Sequence, residues 1–341
     1  MHPLDALAGI DAASLGTGLP AEHARAAWAF AIEGARSFST DRIPPGRPPR
    51  AVTVVASANV FTAPIEWAWA LSAAGVRVIL KSARGLSSVG EALALAFPGV
   101  EARDWRGGDL EAEAAALADS DVALVFGHAD TVRLVRSRSP IPVLGFGPRF
   151  GVALIDRLDD TVANGIALDH ALYDGHGCMS PAAVISTNAF ELSDLGAALL
   201  AADEAWPPGR FTPQEASDRR AVAALARIEG QVFEAGSWLV VALPAAHFRP
   251  RGLPRVVIVH QTVAPGPMLA RWVGELGTVA LAGAAESDTG RSGDIGSLLG
   301  LGMHPPARVC EVGRMQRPPA SRRLHDGVDV LQALWSAARP A

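Results

Sequence analysis

The strongest constraint on this chain is a repeated alternation of short, mostly apolar runs with Ala-rich stretches of helical character. AVTVVAS (51–57) leads into TAPIEWAWALSAAG (62–75), and VRVIL (76–80) into GLSSVGEALALAFPG (85–99). DLEAEAAALADS (109–120) then precedes DVALVFG (121–127), a short helix over 130–136 and the strand IPVLGF (141–146). The apolar runs lack the every-other-residue polarity of a half-exposed strand, so both faces of the sheet must be covered. Helices of this length between such strands act as crossovers of a parallel sheet, and the expected class is α/β.

Residues 1–40 read as helical, and the prolines of DRIPPGRPPR (41–50) end that region. The second half repeats the alternation less regularly. VALID (152–156) is followed by a helix-like stretch over 158–175, PAAVIS (181–186) by a helix over 191–206, and a long helix is expected from Thr212 to Ala235. Thr212 and Glu215 are spaced as a capping box at its start. SWLVVAL (237–243) and RVVIVH (255–260) read as strands, 283–308 as Gly-rich loops, and 328–338 as a closing amphipathic helix.

Composition narrows the chemistry. Of the 30 basic residues 29 are Arg, so Lys81 is the single lysine, and the only cysteines are Cys178 and Cys310. Two distant cysteines exclude a disulfide framework and a Cys-based metal cluster. The net charge of −5 gives no electrostatic footprint for nucleic acid. The start of the chain carries acids where a secretion signal needs a basic region. No run of about 18 apolar residues free of charge or proline occurs. A soluble, cytoplasmic protein without a membrane span is expected.

Cys178 stands in YDGHGCMSPAAVIS, between a helix and a strand, where Gly175 and Gly177 leave the backbone free to expose a thiol and backbone N–H groups favour thiolate. Its other reading is that of a small buried hydrophobe, which is the expected role of Cys310. Asn59 follows a strand and precedes a helix, at the sheet edge where α/β proteins bind ligands. It serves there as a turn residue or as a donor to a developing oxyanion. Lys81 ends the next strand, placed for a phosphate or ribose hydroxyl. FGHADTV (126–132) is a further strand-to-helix turn that offers helix N-terminal amides to a phosphate. His128 within it reads equally as a turn residue. HExxH, Walker A and GxSxG motifs do not occur, so a thiol is the better nucleophile candidate.

Taken in order, these segments resemble the aldehyde dehydrogenase superfamily, and more closely the bacterial long-chain acyl-CoA reductases that supply aldehyde in bioluminescence. NVFTAPIEWAWALSAAGVRVILKSA resembles the stretch from the catalytic Asn to the cofactor Lys, GHGC the nucleophile motif, and CEVGRMQRPPASRRLHDG (310–327) the closing motif of the acyl-CoA reductases. The resemblance spans residues 50–340. It implies two parallel-sheet α/β domains with a cleft: a cofactor domain over 1–143, a thiol domain over 144–310, and a segment over 311–341 returning to the first. It makes Cys178 the catalytic thiol and Asn59 its oxyanion donor, with His176 as a helper in proton transfer. Ser57, Lys81, Arg84, Gly127, His128 and Val132 become cofactor-binding positions, and Glu275 the acid holding the nicotinamide ribose or else a surface acid at a helix end.

Three departures carry information. Aldehyde-oxidising members hold an acid some 34 residues before the nucleophile, and here that count falls on Leu144, with no carboxylate between Asp130 and Asp156. Without that base, an acyl-enzyme exchanges with a thiol in preference to water. Arg84 stands where NAD-preferring members place an acid, which suits the 2′-phosphate of NADPH, with NADH as the other cofactor. Only 58 residues precede Asn59, so part of the first domain and the oligomerisation hairpin are expected to be trimmed. The implied activity is reduction of an acyl-CoA to an aldehyde through a Cys thioester, with CoA leaving; the same site run backward acylates CoA. The partners it allows are a small acyl thioester, another copy of the chain, or an acyl-transferring protein. An acyl-phosphate reductase and a catalytically silent binding or scaffold homologue remain open as alternatives.

Overall fold

The computed structural model describes residues 2–283, 287–288, 306–319 and 324–338. The Gly-rich loops expected over 283–308 therefore lie largely outside the described residues. The chain divides into two compact units. One comprises Met1–Thr17, Ala24–Pro148 and Pro319–Ala341, the other Gly18–His23 and Arg149–Pro318.

In the first unit the strands are β1 (Ala51–Val55), β2 (Arg77–Lys81), β3 (Val100–Ala102), β4 (Val122–Phe126) and β5 (Val143–Phe146). They form one parallel sheet in the order β3-β2-β1-β4-β5. Each crossover carries a helix: α3 (Ala63–Ala73), α4 (Ser87–Ala96), α5 (Leu110–Ala118) and α6 (Ala129–Arg138), after α1 (Pro3–Ala8) and α2 (Ala21–Arg36). All five residues of β1 are buried, as the unbroken apolar run requires. The strand order reverses between β1 and β4, which opens a crevice outside their carboxyl ends.

The second unit has an eight-stranded sheet ordered β12-β13-β11-β6-β7-β10-β9-β8. Its strands are β6 (Phe150–Ile155), β7 (Pro181–Ser186), β8 (Gln231–Ala235), β9 (Trp238–Ala242), β10 (Val256–Gln261), β11 (Leu276–Leu281), β12 (Ser287–Asp288) and β13 (Arg308–Glu311). Pairing is parallel from β13 to β9, and the edge strands β12 and β8 pair antiparallel. Helices α7 (Asp160–Ala171), α8 (Leu192–Ala205), α9 (Pro213–Glu229) and α10 (Pro265–Leu269) connect them, while α11 (Val330–Ala337) belongs to the first unit. Asp159 caps α7 by accepting from Val162 N at 3.0 Å. Thr212 and Glu215 form the reciprocal capping box of α9.

Two elements differ from the sequence expectation. The helix expected to reach Ala235 ends at Glu229, and Gln231–Ala235 turns back at Gly236 to pair with β9. The alternation QVFEA is a strand pattern hidden behind an Ala-rich helix. Leu276–Leu281, for which the sequence suggested no strand, is a central strand between β6 and β13. Its glycine and threonine mask an apolar run that the sheet buries on both faces.

Buried charge organises the second unit. Arg255 is fully buried, with φ of 53°, and its guanidinium meets Asp174 through Nε and Asp203 Oδ1 at 2.7 Å through Nη1. Nη2 donates to the carbonyls of Trp206 at 2.7 Å and Pro207 at 3.0 Å, and the group lies 4.4 Å from the centre of the Trp238 ring. Within α7, Asp169 accepts from Gly313 N at 2.6 Å and Met315 N at 2.9 Å, which docks the segment after β13. Burial pushes the Asp169 carboxyl up to about 7 against those donors and the nearby Arg308 and Arg317. Burial alone pushes the adjacent His170 imidazole down to about 3.

Replacing Arg255 by Met should cost about 3–5 kcal/mol in urea unfolding, because it strands Asp174 and Asp203 as uncompensated carboxylates. A raised carboxyl adds stability at low pH and loses it as pH rises toward its folded value. A lowered imidazole adds stability above its ordinary value and loses it as pH falls. Between about pH 4 and 6.5 Asp169 and His170 therefore oppose each other. Asp169→Asn should lose stability on acidification through this range more steeply than the wild type, and His170→Phe less steeply. Parallel pH–stability curves for all three proteins would contradict this assignment.

Candidate active site

In the first unit the candidate residues share the carboxyl edge of the five-stranded sheet. Val55, at the end of β1, is in register with Lys81 on one side and Val125 on the other. Ser57 lies two residues beyond β1, and Asn59 is exposed in the loop before α3. Gly127 follows β4 directly and its N–H donates to Phe146 O at 3.2 Å. His128 is the N-cap of α6 without a side-chain cap bond, so no side chain of the cap covers the first-turn amides. Arg84 is exposed in the loop between β2 and α4. Val132 differs from the rest: it is buried in the core of this unit and offers only an apolar wall.

Lys81 is half-buried, with Nζ donating to Ser82 O at 3.1 Å and lying 5.5 Å from the centre of the Trp105 ring. Burial lowers its pKa, while Asp104 and Glu113 work in the opposite direction. An ammonium held this way needs little further desolvation to meet an anionic or hydroxyl ligand. Trp105 as its support was not legible in the sequence. The closing HDG segment also returns to this edge. His325 lies edge-on to Phe146, Phe126 and Trp67, with ring centres 4.8, 5.5 and 5.6 Å away.

In the second unit Cys178 is exposed in the turn between α7 and β7, whereas Cys310 is buried within β13. The turn is tightly wound. Asp174 N donates to Ala171 O at 2.7 Å, Gly175 N to His170 O at 2.8 Å, and Ser180 N to Gly177 O at 2.9 Å. Asp174 and Gly175 are both left-handed, with φ of 52° and 80°. The strain at Asp174 is held by its carboxylate, which meets Arg255 and accepts from Gly209 N at 3.0 Å. His176 points Nε2 toward Glu215 Oε1 at 3.5 Å, so the imidazole two residues before the thiol has a carboxylate partner. Glu275 is exposed immediately before β11, whose first residue is in register with Phe150 of β6. It shares the amino edge of this sheet with the Cys178 turn, since β7 begins in register with Gly151.

Around the thiol turn the sequence left four supports unseen: Asp174, Arg255, Asp169 and Gln316. A YDG triplet is a signal for a left-handed turn, but the partners of its Asp lie 81 and 35 positions away. Among the described residues no group of His, Cys, Asp and Glu could hold a metal ion. No helix among them is long and apolar enough to cross a membrane. On the first unit the Gly127 turn, the first turn of α6 and the supported Lys81 could hold the phosphates and ribose of a dinucleotide.

Comparison with known proteins agrees with this geometry. Among curated proteins none matches the chain. Among solved structures it is similar to an aldehyde dehydrogenase from Brucella melitensis biovar abortus 2308, with TM-score 0.63 and 16% identity over 91% of this chain and 75% of that one. It is also similar to an NADP-dependent glyceraldehyde-3-phosphate dehydrogenase from Bacillus halodurans C-125, with TM-score 0.58 and 17% identity over 91% and 78% of the two chains. A third is a putative methylmalonate-semialdehyde dehydrogenase from Sinorhizobium meliloti 1021, with TM-score 0.59 and 14% identity over 98% and 84%. At these identities the likeness establishes the aldehyde-dehydrogenase fold. The family described as acyl-CoA reductase (LuxC) matches residues 47–337, most of the chain. The chain belongs to the acyl-CoA reductase (LuxC) family, and it is an oxidoreductase.

Proposed function

We propose that the protein reduces an acyl-CoA to an aldehyde with NADPH, through a thioester on Cys178. The observation that carries this reading is the exposed thiol on a turn locked from behind by buried charge. Cys178 thiolate attacks the acyl carbonyl, and the Asn59 amide with the Cys178 backbone N–H donates to the oxyanion that develops. The oxyanion collapses, the bond from carbonyl carbon to CoA sulfur breaks, and CoA leaves. His176, with Glu215 beside it, supplies the proton that CoA thiolate takes up. When bound, the dihydronicotinamide supplies the hydride that reduces the enzyme thioester. The resulting thiohemiacetal breaks its bond to Cys178 sulfur, which releases aldehyde and restores the thiolate.

Lys81 and Arg84 would hold the adenosine ribose and its 2′-phosphate. Ser57, Gly127 and His128 would line the phosphates above the wall formed by Val132, and Glu275 would take the nicotinamide ribose. Leu144 pairs with Leu124 in the middle of the β4–β5 ladder and offers no carboxylate to activate water. An acyl-enzyme here therefore favours exchange with CoA over hydrolysis.

Incubation with an acyl-CoA should add one acyl group to the Cys178 peptide, read by mass spectrometry, and Cys178→Ala should abolish both the adduct and aldehyde formation. Aldehyde formation by Cys178→Ala at the wild-type rate would overturn the mechanism. Arg84→Ala should lower kcat/KM for NADPH by about 10-fold or more, the worth of one charge-assisted hydrogen bond, and leave NADH nearly unchanged. Equal losses with both cofactors would remove Arg84 from the 2′-phosphate.

A further inference from the structure

The closing motif contains a side chain that reaches the thiol turn from behind. Gln316 is buried, and its Nε2 donates to Ser180 Oγ at 2.6 Å and to Asp169 O at 3.3 Å. Its carboxamide also lies beside Gly177. A Cβ at position 177 would stand 2.7 Å from Gln316 Oε1 and 2.8 Å from Nε2, closer than a Cβ carbon approaches its neighbours. One amide therefore touches the residues on both sides of Cys178, the glycine before it and the serine two residues after it. The gap between those two is closed by the bond from Ser180 N to Gly177 O at 2.9 Å.

The segment carrying Gln316 is itself fixed at three points. Asp169 of α7 accepts from Gly313 N and Met315 N. Arg308 of β13 is buried and donates to Met315 O at 2.8 Å and Arg314 O at 2.9 Å. The same guanidinium lies 3.7 Å from the sulfur of Met179, the residue next to Cys178. Arg317 donates back to Gly313 O at 2.6 Å. A loop anchored this heavily presents Gln316 in one orientation, and a carboxamide with two acceptors at its nitrogen has no alternative pose of equal energy.

We propose that Gln316 is a positioning residue for Cys178: its carboxamide, clamped between Gly177 and Ser180, sets the aim of the thiol toward the acyl carbonyl. The proposal rests on Cys178 being the nucleophile. It joins Gln316 to the GHGC turn of this chain although 138 positions separate it from Cys178. A side chain at position 177 would have to displace the same carboxamide. Misplacement of a reacting atom by about 1 Å costs on the order of 100-fold in rate, so a lost clamp is visible in kinetics while the fold survives.

The test compares wild type, Gln316→Met and Ser180→Ala. Met keeps the volume of the side chain and removes every hydrogen bond, and Ser180→Ala removes the acceptor from the turn side. Three readouts are taken on protein shown to be folded by its thermal transition. They are the rate of Cys178 alkylation by iodoacetamide across pH 6–9, the single-turnover rate of acylation by an acyl-CoA, and KM for NADPH. Gln316→Met is expected to slow acylation by about 10–100-fold and to change the alkylation profile of Cys178, with KM for NADPH unchanged. Ser180→Ala should show the same signature at smaller amplitude, and it carries the test if Gln316→Met does not fold. Wild-type acylation and alkylation in the folded variants would overturn the clamp. If Cys178→Ala remains active, the nucleophile assignment itself fails; if it is inactive while Gln316→Met is fully active, only the clamp fails.

Discussion

Arg255 carries its whole guanidinium into the interior of the second unit, and every direction in which it donates is met. Asp174 comes from the thiol turn, Asp203 and the Trp206 carbonyl from the end of α8, and the Trp238 face from β9. A buried cation is tolerated only when such acceptors converge, and each acceptor is in turn fixed by the need to meet it. The left-handed Asp174 and the tight Asp174–Gly175 turn that precedes Cys178 are held by that convergence. The turn cannot relax toward a more ordinary backbone without stranding a charge.

From the opposite side the same turn is limited by the segment after β13. Asp169 gathers two of its backbone N–H groups, and Gln316 passes the constraint on to Gly177 and Ser180. The thiol is therefore exposed on a backbone held from two directions, an arrangement suited to a nucleophile that must meet a carbonyl in one geometry. In the first unit the physical logic is different. There the parallel sheet ends in loops, and a lone lysine stacked on Trp105 and the open start of α6 provide charge and donors at the reversal of strand order.

Much of this was legible in the residues. The apolar runs of β1, β4 and β7 located the sheet strands because both of their faces are buried, and the scarcity of lysine and cysteine directed attention to Lys81 and Cys178. What remained hidden depends on contacts distant in sequence. Nothing near YDGHGC announces that its Asp needs Arg255, or that its second glycine leaves room for Gln316. Glu275 marks a similar limit: WVGELGTV has helix-end character up to the acid, and only pairing with β6 and β13 makes the following residues a central strand. The QVFEA strand was obscured because local helix propensity runs unbroken until Gly230, where the chain turns into the β8–β9 hairpin.

The most direct measurement of the central claim is the amount of free CoA released when the enzyme meets an excess of acyl-CoA with nicotinamide withheld. A covalent thioester on one thiol predicts a burst of one CoA per chain that then stops and becomes catalytic on addition of NADPH. No CoA release before NADPH is added would contradict the account, because CoA would then leave only with or after reduction.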